Sequence, residues 1–112
     1  RRLGPLVPEP LPVAVPASEA AAGLARLYRQ AGARGHAAAG LRAATAGRLA
    51  ARLGLPPNAQ PATVGERLGL ALGRDPGTIV GLLYGPPPAT DAELVALAQQ
   101  LHEVESEAHH DR

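Results

Sequence analysis

The chain of 112 residues contains no cysteine, which excludes a disulfide framework and thiolate chemistry. Phenylalanine, tryptophan and methionine are absent too, and Tyr28 and Tyr84 are the only aromatic residues. The core must therefore be built from leucine, valine, alanine and the single Ile79. We expect a small core, whose stability is modest or is shared with a partner.

Long apolar runs are also missing, since none approaches the roughly 20 residues that a membrane-spanning helix needs. The first 17 residues carry five prolines in place of the apolar stretch of a secretory signal. The basic pair Arg1-Arg2 followed by an extended, proline-spaced strip is typical of a segment just after a membrane span or of a domain linker. We therefore expect a piece of a longer polypeptide, with any membrane anchor upstream of Arg1.

Lysine is absent, so every basic residue is an arginine, and the charges are unevenly distributed. No Asp or Glu occurs between Glu19 and Glu66, where six arginines fall: Arg26, Arg29, Arg34, Arg42, Arg48 and Arg52. The last segment is acidic, with Asp91, Glu93, Glu103, Glu105, Glu107 and Asp111. We expect the arginines to form a solvated face that pairs with the acidic C-terminal helix, with lipid headgroup contact as the alternative.

The hydrophobic pattern predicts an all-α protein: an extended proline-rich arm over residues 1–17, a domain of four or five helices over 18–108, and a disordered tail over 109–112. Ser18 is the expected N-cap of the first helix, whose apolar residues recur at helical spacing. These residues are Leu24, Leu27, Tyr28 and Ala31, followed by a second helical stretch with Ala38, Leu41, Thr45, Leu49 and Leu53.

Glycines raise two questions about this long helical run. Inside a helix, Gly32 and Gly35 each reduce helix stability by about 1 kcal/mol relative to alanine, so we expect a weak point there. Whether the stretch from Glu19 to Leu53 forms one helix or two is left open. Gly40, Gly47 and Gly54 recur every seven residues and would let another helix approach closely. The alternative is glycine drift in a GC-rich sequence.

Three further helices are predicted from their capping residues. Leu55-Pro56-Pro57-Asn58 ends the long run, and a helix then begins at Pro61 and reaches about Leu72, with Gly73 as its C-terminal cap. Asp75 is the N-cap of a short helix that ends at Tyr84 before Gly85. Thr90-Asp91-Ala92-Glu93 fits a capping box for the last helix, whose apolar stripe is Leu94, Leu97, Ala98, Leu101 and Val104.

Residues 68–83 have the shape of a helix-turn-helix, with a small residue in the first helix and a glycine in the turn. The outward positions of the second helix offer Gly77, Thr78 and Gly81, none of which reads bases as Arg, Asn or Gln do. A structural role for the turn is therefore favoured. A small helix-turn-helix nucleic-acid-binding regulator is the alternative function.

No catalytic or metal-binding pattern is present in the sequence. His36, His102, His109 and His110 show no ligand spacing with carboxylates. A phosphate-binding glycine loop, a nucleophile elbow and a paired-carboxylate pattern are also missing. We expect no enzyme activity, no cofactor and no metal.

Five segments carry a resemblance to a known family. They are Arg2-Leu3-Gly4, Leu6-Val7-Pro8-Glu9-Pro10-Leu11-Pro12-Val13, Leu27-Tyr28-Arg29, Arg48-Leu49-Ala50-Ala51-Arg52-Leu53-Gly54-Leu55-Pro56 and Leu82-Leu83-Tyr84-Gly85-Pro86. Together they resemble the C-terminal tail of actinobacterial membrane proteins that carry domain of unknown function 4350. The resemblance implies an extracytoplasmic domain upstream, a membrane segment ending just before Arg1, and this tail on the cytoplasmic side of the cell membrane.

The same resemblance implies a functional association, because such proteins are typically encoded beside a MoxR-type AAA ATPase and a von Willebrand factor A-like protein. It supplies no catalytic residue. We therefore predict a non-catalytic cytoplasmic interaction module, tied to envelope assembly, whose protein partner is an AAA ATPase or a sister membrane protein. The predicted contact residues are Pro8, Glu9, Pro10, Arg26, Arg29 and Tyr84.

Overall fold

The computed structural model describes residues 17–110, and over that range it contains four α-helices and no strand. Helix α1 spans Ala17–Arg52, α2 spans Pro61–Leu72, α3 spans Pro76–Tyr84 and α4 spans Asp91–His110. The predicted all-α fold is therefore confirmed, with four helices. Of the predicted arm, residues 1–16 lie outside the described residues, and Ala17 already belongs to α1.

Helix α1 is one uninterrupted helix of 36 residues, so Gly32 and Gly35 do not break it. It begins at Ala17, and the predicted cap Ser18 therefore lies in its first turn. By internal contacts the chain divides into two units, Arg1–Gly32 and Ala33–Arg112. In the described part of the first unit no residue is buried, and all buried residues of the range 17–110 belong to the second unit.

The end of α1 is set by a glycine and not by the prolines that follow. Gly54 has a φ of 73°, in the left-handed region that glycine adopts readily. The Leu55 amide donates to the Ala50 carbonyl at 2.9 Å and the Gly54 amide to Ala51 at 3.1 Å. This is the Schellman arrangement, so the helix has already ended when the chain reaches Pro56.

The boundaries of α2 and α3 agree with those predicted from their caps. Helix α2 ends at Leu72 and is capped by Gly73, whose φ is 68°, and α3 follows after Arg74 and Asp75. The Asp75 carboxylate accepts a hydrogen bond from the Thr78 amide at 2.9 Å, as an N-cap does. The helix-turn-helix-like pair is therefore present.

Two glycines of α2 let α3 approach it closely. A Cβ atom at Gly69 would lie 2.7 Å from the Arg74 carbonyl oxygen, and one at Gly65 would lie 2.5 Å from Val80 Cγ2. Gly40, Gly47 and Gly54 instead have open space where a Cβ would be. The prediction that this seven-residue repeat admits another helix is therefore wrong, and the close approach lies at Gly65 and Gly69.

All four helices contribute to the core of the second unit. Its buried apolar side chains are Ala38, Ala46, Leu49, Val64, Leu68, Ile79, Leu83, Leu97, Leu101 and Val104. The last three confirm the predicted stripe of α4. Within the described range, no helix combines the length and the apolar character that a membrane span requires.

Helix α4 begins with a variant of the predicted capping box. The Thr90 hydroxyl accepts a hydrogen bond from the Glu93 amide at 3.1 Å, while the Glu93 carboxylate accepts one from the Ala89 amide at 2.7 Å. In the standard box that carboxylate would bind the amide of the cap residue itself. The helix continues through His110, so His109 and His110 are helical and do not belong to a disordered tail.

Candidate functional site

Arg42 of α1 holds the C-terminal end of α3. Its Nε donates to the Leu82 carbonyl at 2.9 Å, and its Nη1 donates to the carbonyls of Gly85 at 2.9 Å and Pro86 at 2.8 Å. The last carbonyls of a helix have no partner inside the helix and carry its partial negative charge. One guanidinium therefore binds the end of α3 and the turn after it.

Burial around this contact changes the acidity of two side chains. Desolvation lowers the pKa of the Arg42 guanidinium from its usual value, although an arginine remains charged at any physiological pH. Desolvation also raises the pKa of the Tyr84 phenol above its usual value, because burial disfavours the phenolate. Both side chains border one cavity.

That cavity is an open groove of about 550 Å³ in the second unit, which we call the α1–α3 groove. Its α1 wall is built from small residues, and its other wall is the end of α3 with the turn that follows. It is lined by Gly35, Ala38, Ala39, Arg42, Ala43, Ala46, Leu83, Tyr84, Gly85 and Pro87. Apart from Arg42 and Tyr84, the lining residues are glycine, alanine, leucine and proline, so the groove offers mostly apolar surface.

Helices α1 and α4 are joined by side chains at a constant offset along the chain. Arg34 contacts Asp91 at 3.2 Å, Arg48 Nη2 donates to Glu105 at 2.9 Å, and Arg52 contacts His109, each pair being 57 residues apart. A constant offset means that the two helices run parallel. The predicted attraction between the arginines and the acidic last helix is confirmed for Arg34 and Arg48.

A second pair ties the turn between α2 and α3 to α4. Arg74 Nε donates to Glu107 at 3.0 Å, and a second guanidinium nitrogen binds the other carboxylate oxygen. Hydrogen bonds from arginine lower the pKa of Glu107, and likewise that of Glu105 beside Arg48. Both carboxylates are therefore ionised at neutral pH and are poor proton donors.

A comparison with known proteins finds a relative in Mycobacterium tuberculosis. The chain is 44% identical over 110 residues to Uncharacterized membrane protein Rv3691 of Mycobacterium tuberculosis. It is similar to part of an actinobacterial membrane protein. The alignment covers 98% of this chain but 29% of that relative, whose name assigns it no activity. No family model matches the chain, and no solved structure matches it.

The predicted contact residues fall in three places. Pro8, Glu9 and Pro10 lie outside the described residues. Arg26 and Arg29 are exposed on the part of α1 that belongs to the first unit. Tyr84 is 39% exposed and lines the α1–α3 groove of the second unit.

The histidines of the described range do not form a metal site. No group of three His, Asp or Glu side chains in residues 17–110 is arranged to hold an ion. His36 and His102 are exposed, and the rings of His109 and His110 lie edge to face with centroids 6.0 Å apart. The ring of His110 also contacts the Ser106 carbonyl at 2.8 Å.

Sequence reasoning missed the rest of the groove. Gly35, Ala39 and Ala43 follow one another at a spacing of four residues, which places small residues on one helix face and is a usable signal. The role of Arg42 had no such signal. Its acceptors are backbone carbonyls 40 or more residues away in the chain, so no side chain in the sequence marks them as partners.

The lowered pKa values predict how stability depends on pH. Because folding depresses the pKa of Glu105 and Glu107, their contribution is present above the ordinary value of 4.5 and is lost as the pH falls through their folded values. NMR titration of the carboxyl carbons should give both pKa values below 4.5. Arg48→Gln should return Glu105 toward 4.5 and leave Glu107 depressed, whereas an unchanged Glu105 would contradict the assignment.

Proposed function

We propose that this chain is a non-catalytic interaction module of a membrane protein and that a protein partner binds in the α1–α3 groove. The groove is the observation that carries the proposal, because it is an open apolar surface on a packed helical unit. Concave, mostly apolar surfaces with a few polar groups are where proteins commonly bind ligands. The similarity to a mycobacterial membrane protein supports the membrane setting.

The groove suits an apolar segment of a partner protein. On its α1 wall Arg42 is the one long side chain, and Ala39 and Ala43 beside it are small, so another backbone can come close to them. Tyr84 and Pro87 form the opposite wall, and tyrosine is among the residues that contribute most to binding at protein interfaces. The Arg42 hydrogen bonds hold this wall in place before binding, which lowers the entropy cost of association.

The partner and the sidedness are inferred from the resemblance to the tails of membrane proteins with domain of unknown function 4350. On that basis the partner is a MoxR-type AAA ATPase or a sister membrane protein, and the chain lies on the cytoplasmic side of the membrane. In this proposal the chain is non-catalytic, and Glu105 and Glu107 are ion-paired with Arg48 and Arg74. Their carboxylates serve packing between helices.

The experiment measures binding of the purified chain to the purified MoxR-type ATPase by isothermal titration calorimetry. Ala43→Arg places a long charged side chain in the groove and should weaken binding at least tenfold. Ala44→Arg adds the same side chain to the exposed neighbouring position, which does not line the groove, and should leave the affinity unchanged. Equal effects of the two substitutions would refute the groove as the binding site.

A small helix-turn-helix regulator remains the second candidate, because α2 and α3 do form such a pair. The exposed side of α3 presents Gly77, Thr78 and Gly81, and the Thr78 hydroxyl contacts the Asp75 carboxylate at 3.2 Å. This surface gives little means of reading a base edge. A preference for one duplex sequence over competitor DNA at physiological salt would favour this candidate over the interaction module.

A further inference from the structure

We propose that the partner segment that binds in the α1–α3 groove is apolar and carries one acidic side chain, whose carboxylate contacts Arg42. This inference rests on the proposed function and adds the chemistry of the partner to it. Arg42 is the only charged side chain among the residues that line the groove. A partner made of apolar residues alone would cover that charge and leave it without a counterion.

The charge of Arg42 has no carboxylate partner among the described residues. Within residues 17–110, the arginines that form ion pairs are Arg34, Arg48 and Arg74. Arg42 donates instead to backbone carbonyls, which carry no net charge. Hydrogen bonds to glutamate raise the pKa of Arg48 and that of Arg74, whereas burial lowers the pKa of Arg42.

The Arg42 guanidinium also keeps free hydrogen-bond donors. Three of its five N–H groups donate to carbonyls, so the two on Nη2 remain. Nη2 lies beside Gly85, which lines the groove and whose Cβ, if present, would be 3.4 Å from it. Water reaches Nη2, because Arg34 Nε is the only buried side-chain nitrogen or oxygen of residues 17–110 that lacks a partner. Both donors are therefore open to an acceptor from another molecule.

The acidic residues around Arg42 are engaged elsewhere. Glu93 and Glu103 line two neighbouring cavities that Arg42 also borders. The Glu93 carboxylate accepts a hydrogen bond from a backbone amide. The pKa of Arg74 is raised by its hydrogen bond to Glu107 and also by the charge of Glu103. Neither Glu93 nor Glu103 forms an ion pair with Arg42.

Covering the groove would change the surroundings of this charge. Arg42 is already partly buried, and apolar residues placed over Nη2 would remove the water that now solvates it. A carboxylate on the partner offsets that loss, because hydrogen bonds between charged groups are about twice as strong as neutral ones. A nucleic acid is disfavoured, since its phosphate backbone is bound through several cations and the groove has one. Charge complementarity therefore favours an apolar segment with a single acid.

NMR titration with matched peptides tests this preference on the full, isotope-labelled chain. Blocked five-residue peptides of leucine, valine and alanine are made in two versions, with glutamate or glutamine at the centre. Glutamine has nearly the size of glutamate but no charge, so each pair isolates the carboxylate. Both versions should shift the amide signals of Ala39, Ala43 and Gly85. The glutamate version should bind at least fivefold more tightly.

Substitutions assign the preference to Arg42. In Arg42→Met the preference for glutamate should disappear. In Arg67→Met it should persist, because Arg67 is an exposed arginine of α2 that also donates to a backbone carbonyl but does not line the groove. Arg42→Lys keeps the charge and should retain the preference. The comparison of the two peptide versions on the wild-type chain needs no variant, so it holds even if Arg42→Met fails to fold.

The outcomes separate this inference from the proposed function. Equal binding of the two versions would overturn the inference and leave the groove a binding site. If no peptide shifted the signals of the groove, both the inference and the proposed function would fail. Shifts that depend on the concentration of the chain alone would assign the groove to a second copy, and shifts caused by anionic lipid vesicles but by no peptide would assign it to a membrane surface. Either result would overturn the inference.

Discussion

Replacing Gly69 by alanine is expected to lower the free energy of unfolding by about 2 kcal/mol, although alanine is the better helix former. The new Cβ would lie 2.7 Å from the Arg74 carbonyl oxygen and 3.2 Å from Pro76 Cγ. The oxygen belongs to the backbone of the tight connection between α2 and α3, so relief requires the two helices to move apart. The melting temperature should fall by roughly 10 °C in thermal unfolding followed by circular dichroism.

Gly40→Ala is the matched control for this prediction. Gly40 also lies inside a helix, but a Cβ there would meet nothing within 4 Å. The substitution should therefore stabilise the protein by about 0.5–1 kcal/mol through helix propensity alone. If both substitutions stabilised the protein equally, α2 and α3 would not be packed as closely as described.

The contrast between these glycines shows what the sequence was able to predict. Helix ends were predictable wherever a local signal sets them, as Asp75, Gly73 and Thr90 do, because a cap acts within a few residues of its own position. The repeat of Gly40 and Gly47 looked like a packing signal and is not one. Close packing depends on which residue arrives opposite, here Pro76 and Val80, and that is a property of the tertiary structure.

The long helix α1 is a second case in which the sequence alone did not decide the structure. The sequence left open whether Gly32 and Gly35 interrupt it, and the structure shows that they do not. Two glycines reduce helix stability by about 2 kcal/mol, which is small beside the summed favourable contributions of the remaining residues in a helix this long. Charge pairing was predictable as an attraction between segments, but the partners Arg48 with Glu105 and Arg34 with Asp91 required the parallel alignment of α1 and α4.

The groove was only partly accessible to sequence reasoning. Tyr84 was singled out, because an exposed aromatic residue before a Gly-Pro stop is unusual, and it does line the α1–α3 groove. The sequence pattern predicts Arg42, like the other arginines, on a solvated face. It instead binds backbone carbonyls, a role that neither its spacing nor its neighbours in sequence reveal.

Arg42→Met should destabilise the protein by about 2 kcal/mol, the second large effect we expect. The substitution keeps much of the apolar stem but removes the donors to the carbonyls of Leu82, Gly85 and Pro86. Water replaces part of this loss at the exposed Pro86 carbonyl, and less of it at the partly buried Leu82 and Gly85 carbonyls. Chemical denaturation at neutral pH measures the change.

Two further variants separate the hydrogen bonds from charge. Arg42→Lys retains the positive charge near the negative end of α3, but a single ammonium does not reach three carbonyls in the fork geometry of a guanidinium, so an intermediate loss is expected. Arg29→Met removes an exposed arginine of the same helix and should stay within about 0.5 kcal/mol of wild type. A loss at Arg42 no larger than that at Arg29 would show that the end of α3 is held by packing of Leu83 alone. In that case the wall of the groove would not depend on the arginine.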